Sequence, residues 1–199
     1  MSIVTEPDLI LASASPRRSA LLRQIGVAHR TAMPGVAEVR LAGESAADCV
    51  SRLALVKAHQ VLHGETRRRL PVLGADTAVV LDEQMLGKPT DRAAALAMLE
   101  RLSGRSHQVL TAVALVAGQG EALRLSISTV KFRAIEAVEM QHYWASGEPG
   151  DKAGGYAVQG YAAVFIERLE GSYSGVMGLP LFETAALLDA AGVPRWRVL

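Results

Sequence analysis

Apolar positions along this chain fall into short continuous runs and stripes at helical spacing, following one another in α/β order. Leu9-Ile10-Leu11-Ala12 is an apolar run read as a buried strand, which two serines flanking Ala14 bring to an end. Pro16 falls where a helix would begin, a position that tolerates a residue without an N–H. Leu21, Leu22 and Ile25 share the face of that helix, and Gly26 is its stop. Ala28 to Met33 reads as a weak strand, and Pro34-Gly35 as a turn leading to Glu38. Ser45, with Asp48 three residues on, resembles a capping box; the helix it opens carries Val50, Leu53, Ala54, Lys57 and Val61 on one stripe. Pro71 introduces a strand, Val72 to Ala75, that ends in Asp76-Thr77. It resumes through Leu81, turns at Asp82-Glu83 and returns through Met85 to Gly87-Lys88-Pro89.

Thr90 or Asp91 caps a helix through Leu102, stopped by Gly104. Two long strands, His107 to Ala117 and Glu121 to Phe132, are joined by Gly118-Gln119-Gly120. That connection is far too short for a parallel crossover, so the sheet must be mixed. A helix from about Glu136 to Ser146 ends at Gly147, and a strand is expected from Ala162 to Leu169. Ser172-Tyr173-Ser174 reads as a polar turn, and a last helix runs from Leu181 to Ala191. With no repeat, low-complexity tract or separating linker, one domain over residues 1–199 is expected.

Composition narrows the possible roles. Half the residues are hydrophobic, yet no apolar run reaches membrane-spanning length. Met1 to Asp8 contains two acids and no basic region, unlike a secretory signal. The net charge of +1 argues against nucleic acid as main partner, and the short run Arg67-Arg68-Arg69 reads as solvated. A lone cysteine, Cys49, excludes an internal disulfide and fits a reducing cytoplasm; its helical stripe makes it a small buried hydrophobe. Against seventeen arginines stand four lysines, and Lys57, Lys88 and Lys152 each fall in or beside a candidate site.

The first strand and helix deliver Ser13, Ser15, free N–H groups, Arg17 and Arg18 to a helix N-terminus, an arrangement suited to an anion. The plainer alternative is a serine cap with solvated arginines. Lys57, in mid-stripe, either snorkels to water or lines a cleft. Asp76 at a strand end is costly to bury unless used or paired, and the hairpin would hold Lys88 near it. His107 reads as a surface strand residue rather than a metal ligand. The stretch Gly147 to Gly160 holds five glycines and Pro149, interspersed with Asp151, Lys152, Tyr156 and Gln159, and reads as a functional loop.

Five collinear motifs carry a resemblance: Ser13-Ala14-Ser15-Pro16-Arg17-Arg18, Gly74-Ala75-Asp76-Thr77, Gly87-Lys88-Pro89, Asp151 to Gly160, and Gly178-Leu179-Pro180. Together they resemble the Maf family of nucleotide pyrophosphatases over nearly the whole chain. The resemblance implies an α/β fold with an elongated mixed sheet flanked by helices, similar to inosine triphosphate pyrophosphatases, and a homodimer. It implies hydrolysis of a nucleoside triphosphate to monophosphate and pyrophosphate with a divalent metal, Mg²⁺ or Mn²⁺. The Asp-Lys-Ala-Gly loop ending in Gln-Gly resembles the branch acting on dTTP and UTP, where a 7-methyl-GTP branch carries glutamate in place of Gln159. Carried over, Asp76 matches the proton acceptor; Arg17, Thr77 and Gln159 match substrate-choice positions; Arg18, Glu38, Lys57 and Lys88 match further residues needed for activity. Two departures stand out: Ala37 where the family often pairs a second acid with Glu38, and Gly155 for the more usual alanine.

The chemistry of such a reaction agrees with these residue types. A triphosphate of about four negative charges needs several cations and N–H donors. Attack by water on the α-phosphorus needs a base, for which Asp76 serves directly or through metal-bound water, with Glu38 as second metal contact. A glutamine amide offers N–H and C=O together, matching O4 and N3–H of uracil or thymine; glutamate cannot donate to O4. A nucleotide-binding regulator of septum formation that does not hydrolyse is the alternative, and it would need the basic cradle without Asp76 and Glu38.

Overall fold

The serine, proline and glycine signals act where they stand. A computed structural model describes residues 6–65, 70–118 and 120–197. In it β1 (Leu9–Ala12) is wholly buried and leads to α1 (Pro16–Gln24), with Pro16 in the first turn and Ser15 as N-cap. Gly26 stops the helix at φ 66°, and a Cβ there would lie 2.5 Å from the Arg197 backbone nitrogen. Only glycine permits both the left-handed turn and that approach. The weak strand is β2 (His29–Ala32), and Ser45 caps α2 (Ala46–Gly64) by accepting the Asp48 N–H.

Around Asp76 the expectation needs correction. The two expected runs are one strand, β3 (Val72–Leu81), and Asp76 lies in its interior. No glycine or proline falls between Ala75 and Leu81, so nothing local breaks the extended backbone. Asp82 and Glu83, both at positive φ, then turn the chain into β4 (Gln84–Leu86), antiparallel to β3. Asp91 caps α3 (Arg92–Leu102), which precedes β5 (Ser106–Ala117), β6 (Gly120–Phe132) and α4 (Ala137–Ala145). The strand expected from Ala162 begins only at Ile166, as β7 (Ile166–Glu170). Before it, Tyr161–Phe165 is a 3₁₀ turn that buries Ala162 and Phe165, three residues apart as that geometry requires. The expected polar turn opens a short helix, α5 (Tyr173–Met177), ahead of α6 (Leu181–Ala190). Arg67-Arg68-Arg69 lies outside the described residues.

The strands form a mixed sheet in the order β2-β1-β3-β5-β6-β7, with β4 on β3; β1 runs parallel to β2 and β3, and β7 antiparallel to β6. Among the described residues no helix is long and apolar enough to cross a membrane. The chain forms two compact units. One draws on Met1–Asp76, Thr111–Leu125 and Gly178–Leu199, the other on Thr77–Leu110 and Ser126–Met177.

In the first unit, Ile10, Ala12, Ala58, Val61, Val72 and Val116 make a core of aliphatic side chains. Gly74 sets its spacing: a Cβ there would lie 2.1 Å from the Ala54 carbonyl oxygen, so glycine lets α2 rest directly on β3. In the second unit the core is aromatic, with Phe132 and Tyr156 ring centres 4.9 Å apart and Tyr143 and Phe165 5.4 Å apart. His107 belongs to it. Expected at the surface, it is buried, and its Nε2 lies 2.8 Å from the Tyr156 hydroxyl. The alternation of β5 explains this, since His107 shares its parity with buried Val109 while Ser106 and Gln108 are exposed.

Candidate active site

In the first unit the strand–turn–helix closes on itself through its own polar groups. The Ser13 hydroxyl, buried, accepts the Ser15 N–H at 3.1 Å and Nη1 of Arg18 at 3.2 Å. The Ser15 hydroxyl accepts the Arg18 N–H at 3.5 Å, the N-cap contact of α1. Arg18 Nε donates to the Gly178 carbonyl at 2.8 Å, so the first and last motifs meet in one side chain. Arg18 is thus built in rather than solvated. Burial lowers its pKa from the ordinary arginine range, while the charges of Asp76 and Glu38 oppose that effect. Arg17, one position earlier on α1, is half-buried.

The second group joins three elements of the same unit. Because Gly74 brings α2 onto β3, Lys57 on the apolar stripe reaches Asp76, two residues further along the strand. Lys57 Nζ donates to Asp76 Oδ1 at 2.6 Å and also to Glu38, on the segment between β2 and α2. The ammonium is buried, and snorkelling is ruled out. Burial raises the Asp76 pKa above the usual carboxylate range; Lys57, by charge and hydrogen bond, and Arg18 by charge pull it back, while Glu38 pushes it up again. Asp76 is therefore a stronger base than an exposed aspartate. The Glu38 segment is clamped from α2: Arg52 Nη2 donates to the Val39 carbonyl at 3.0 Å and to Glu44 at 2.8 Å. Glu44, with the Arg52 guanidinium bonded to it, is held at a pKa of about 2.

The donor set can be judged for a metal. Two carboxylates, Glu38 and Asp76, converge on one point that already carries positive charge. Among the described residues no group of three or more His, Cys, Asp or Glu side chains gathers. Two hard oxygen donors suit magnesium or manganese shared with substrate phosphates rather than a closed protein cage. Cys49 is buried on α2; burial, then its contact with Glu44, raises its thiol pKa, which suits a structural residue.

In the second unit the third and fourth motifs meet. The Gly154 N–H donates to the Gly87 carbonyl at 3.0 Å, and the Gly155 Cβ position faces Pro89. Gly154 and Gly155 both have φ near +70°, at 71° and 69°, so glycine at 155 suits its backbone. A Cβ on Gly154 would also crowd Val79 of β3 at 3.0 Å. Thr77 is half-buried in β3, while Lys88 and Gln159 are exposed. Lys152 Nζ donates to the Glu148 carbonyl at 2.6 Å and to Asp151. Ser13, Ser15, Arg18, Glu38, Lys57 and Asp76 thus come together in the first unit; Thr77, Lys88 and Gln159 belong to the second. Sequence reasoning passed over Arg52 and Glu44, and over Glu148 beside Pro149.

Fold and site define an α/β protein whose buried, lysine-bridged acid stands beside a strand–turn–helix equipped for an anion. The family model described as Maf-like protein matches residues 8–191, and the chain belongs to that family. It is 57% identical over 187 residues to the dTTP/UTP pyrophosphatase of Alkalilimnicola ehrlichii, covering 92% of each chain. The dTTP/UTP pyrophosphatase of Saccharophagus degradans is 52% identical over 194 residues, covering 96% of this chain and 92% of that one. The protein of that name from Bordetella parapertussis is 52% identical over 195 residues, covering 94% of each. Among solved structures, the Staphylococcus aureus Ham1 protein matches with a TM-score of 0.41 and 11% identity, over 62% of this chain and 71% of that one.

Proposed function

We propose that this chain hydrolyses nucleoside triphosphates, dTTP and UTP, to the monophosphate and pyrophosphate. One observation carries the reading: Asp76, a buried acid with a raised pKa, is bonded to Lys57 and lies within electrostatic reach of Arg18. A buried acid ringed by cations suits a base that works beside a polyanion. The names of the relatives support the choice of substrate.

In this reading the turn into α1, with Ser13, Ser15, Arg17 and Arg18, receives phosphate oxygens, and Lys88 adds a further cation. Water attacks the α-phosphorus while Asp76 accepts its proton. The α–β anhydride bond breaks, and its electron pair leaves on pyrophosphate. Lys57 holds Asp76 in place and favours its ionised form. Glu38 and Asp76 are the residues that would hold magnesium or manganese, which when bound would polarise phosphate oxygens as a Lewis acid. Thr77 and Gln159 take the nucleoside end, the Gln159 amide matching O4 and N3–H of the pyrimidine. The reading also includes a homodimer in the cytoplasm, on the strength of the family and of the single buried cysteine.

The test is pyrophosphate release by the purified chain from each nucleoside triphosphate, with Mg²⁺ or Mn²⁺ supplied and then withheld. Release from UTP and dTTP above the other nucleotides is expected. Tight binding of a nucleotide without release would instead favour the regulator of septum formation, which needs the cradle but no base.

A further inference from the structure

The loop that carries Gln159 is pinned by one acid that none of the motifs includes. Ala157 to Gly160 form a turn closed by the Gly160 N–H on the Ala157 carbonyl at 3.1 Å, with Val158 buried and Gln159 exposed at its tip. On one side, the Ala157 N–H donates to the Tyr143 hydroxyl at 3.3 Å. On the other, the Tyr161 and Ala162 N–H groups donate to the Glu148 carboxylate at 2.9 and 3.3 Å. The Tyr143 hydroxyl in turn donates to Glu148 Oε1 at 2.7 Å, which joins the two sides. The Gln159 turn therefore hangs between two anchors that share a single carboxylate.

Gly160 shows how tightly that carboxylate is seated. Its backbone is extended, at φ −108°, so a side chain would cost nothing in conformation. A Cβ there would nonetheless lie 1.9 Å from Glu148 Oε2. A side chain at 160 would therefore push the Glu148 carboxylate away from the N–H groups it holds. The Glu148 carbonyl accepts Lys152 Nζ at 2.6 Å, so both arms of the loop are tied to Glu148.

We infer that Glu148, with Tyr143 and Gly160, is a positioning element that sets the choice between pyrimidine bases. This rests on the proposed role of Gln159. A glutamine amide alone is a poor discriminator: turned over, the same group offers its C=O to the cytosine amino group and its N–H to N3. Preference for uracil or thymine then depends on where the turn presents the amide, and that is what Glu148 holds.

The test measures kcat and KM for UTP and CTP, with Tm, in wild type, Gln159→Ala, Glu148→Gln, Glu148→Ala, Gly160→Ala and the Glu148→Ala/Gly160→Ala double variant. Glu148→Ala and Gly160→Ala should each lower the UTP-over-CTP ratio of kcat/KM about tenfold, mainly through KM. Glu148→Gln, isosteric and still an acceptor, should fall between them and wild type. The double variant should be no worse than Glu148→Ala, because the methyl then meets empty space. If Gln159→Ala lowers the ratio while Glu148→Ala, Glu148→Gln and Gly160→Ala leave it unchanged, or lower both substrates equally along with Tm, the inference is overturned and the role of Gln159 survives. If Gln159→Ala leaves the ratio unchanged, the role of Gln159 fails first and takes the inference with it.

Discussion

The two units hold their candidate functional groups in opposite ways. In the first, Asp76 and Lys57 sit inside regular elements, buried and bonded to each other. In the second, Gln159 stands exposed at the tip of an irregular loop whose own backbone is bonded down on either side. Groups that handle protons need a fixed, desolvated setting to tune their pKa, and packed helices and strands supply it. A group that reads a base needs access to solvent and ligand, so its precision has to come from the backbone beneath it.

Asp76→Asn makes the sharpest break in that comparison. Pyrophosphate release should fall on the order of 10²–10⁴-fold. Tm should stay close to wild type, since Lys57 keeps Glu38 as a partner. Near-normal turnover in this variant would return the first unit to a purely structural role.

Lys57→Ala comes next, because it leaves a buried carboxylate without its cation. Removing one partner of a buried pair costs about 3–5 kcal/mol, visible in urea unfolding. Burial already raises the Asp76 pKa and Lys57 opposes it, so the variant's remaining activity should lose its acid limb at higher pH than wild type. An acid limb that does not move would mean that Lys57 does not tune Asp76.

The second unit has its own buried titrating group, His107, whose pKa burial lowers from 6.5 to about 4. The folded chain keeps it neutral while the unfolded chain takes up a proton below about pH 6.5. Its contribution is complete above that pH and is lost as pH falls towards 4, on the order of 3 kcal/mol in all. His107→Phe should flatten stability against pH across this window, whatever its effect on stability at pH 7. A slope equal to wild type would assign the acid sensitivity to other groups.

Gln159→Glu is the mildest change and the one that best separates recognition from packing. In the proposed complex it places an acceptor opposite O4 and adds negative charge near a polyanion. The kcat/KM for UTP and dTTP should fall by about 1–3 kcal/mol, ten- to a hundredfold, with Tm unchanged. An unchanged ranking of UTP, dTTP and 7-methyl-GTP would show that position 159 does not read the base.

How much of this was legible in the sequence depends on where each residue's partners lie. Pro16, Ser45, Asp91 and Gly26 act locally, and the elements they bound stand close to where spacing put them. Lys57 was ambiguous because a lysine on an apolar stripe looks the same whether it snorkels or pairs; Gly74, the residue that decides it, acts through the backbone of Ala54. Asp76 reads as a strand end because it closes the apolar run Val72 to Ala75, yet the strand runs on to Leu81 and the partner that neutralises the acid comes from α2. His107 alone reads as a polar surface residue, and the alternation it shares with Val109 is what places it inside. Glu148 leaves no signature, since its partners are the Tyr143 hydroxyl and main-chain N–H groups thirteen and fourteen residues on.

The tie from Arg18 to the Gly178 carbonyl, with those of Ile25 and Gly26 to residues 196 and 197, bears on how the chain is made. A ribosome that has just delivered Arg18 must add 160 further residues before its Nε partner exists. At about 5–20 residues per second that is an interval of roughly ten to thirty seconds. Throughout it the nascent chain carries the serines and arginines of its first helix without the segment that fixes them. The turn from Ser13 to Arg18 thus waits on a segment 160 residues later for its last hydrogen bond, and a chain stalled before Gly178 would lack that tie.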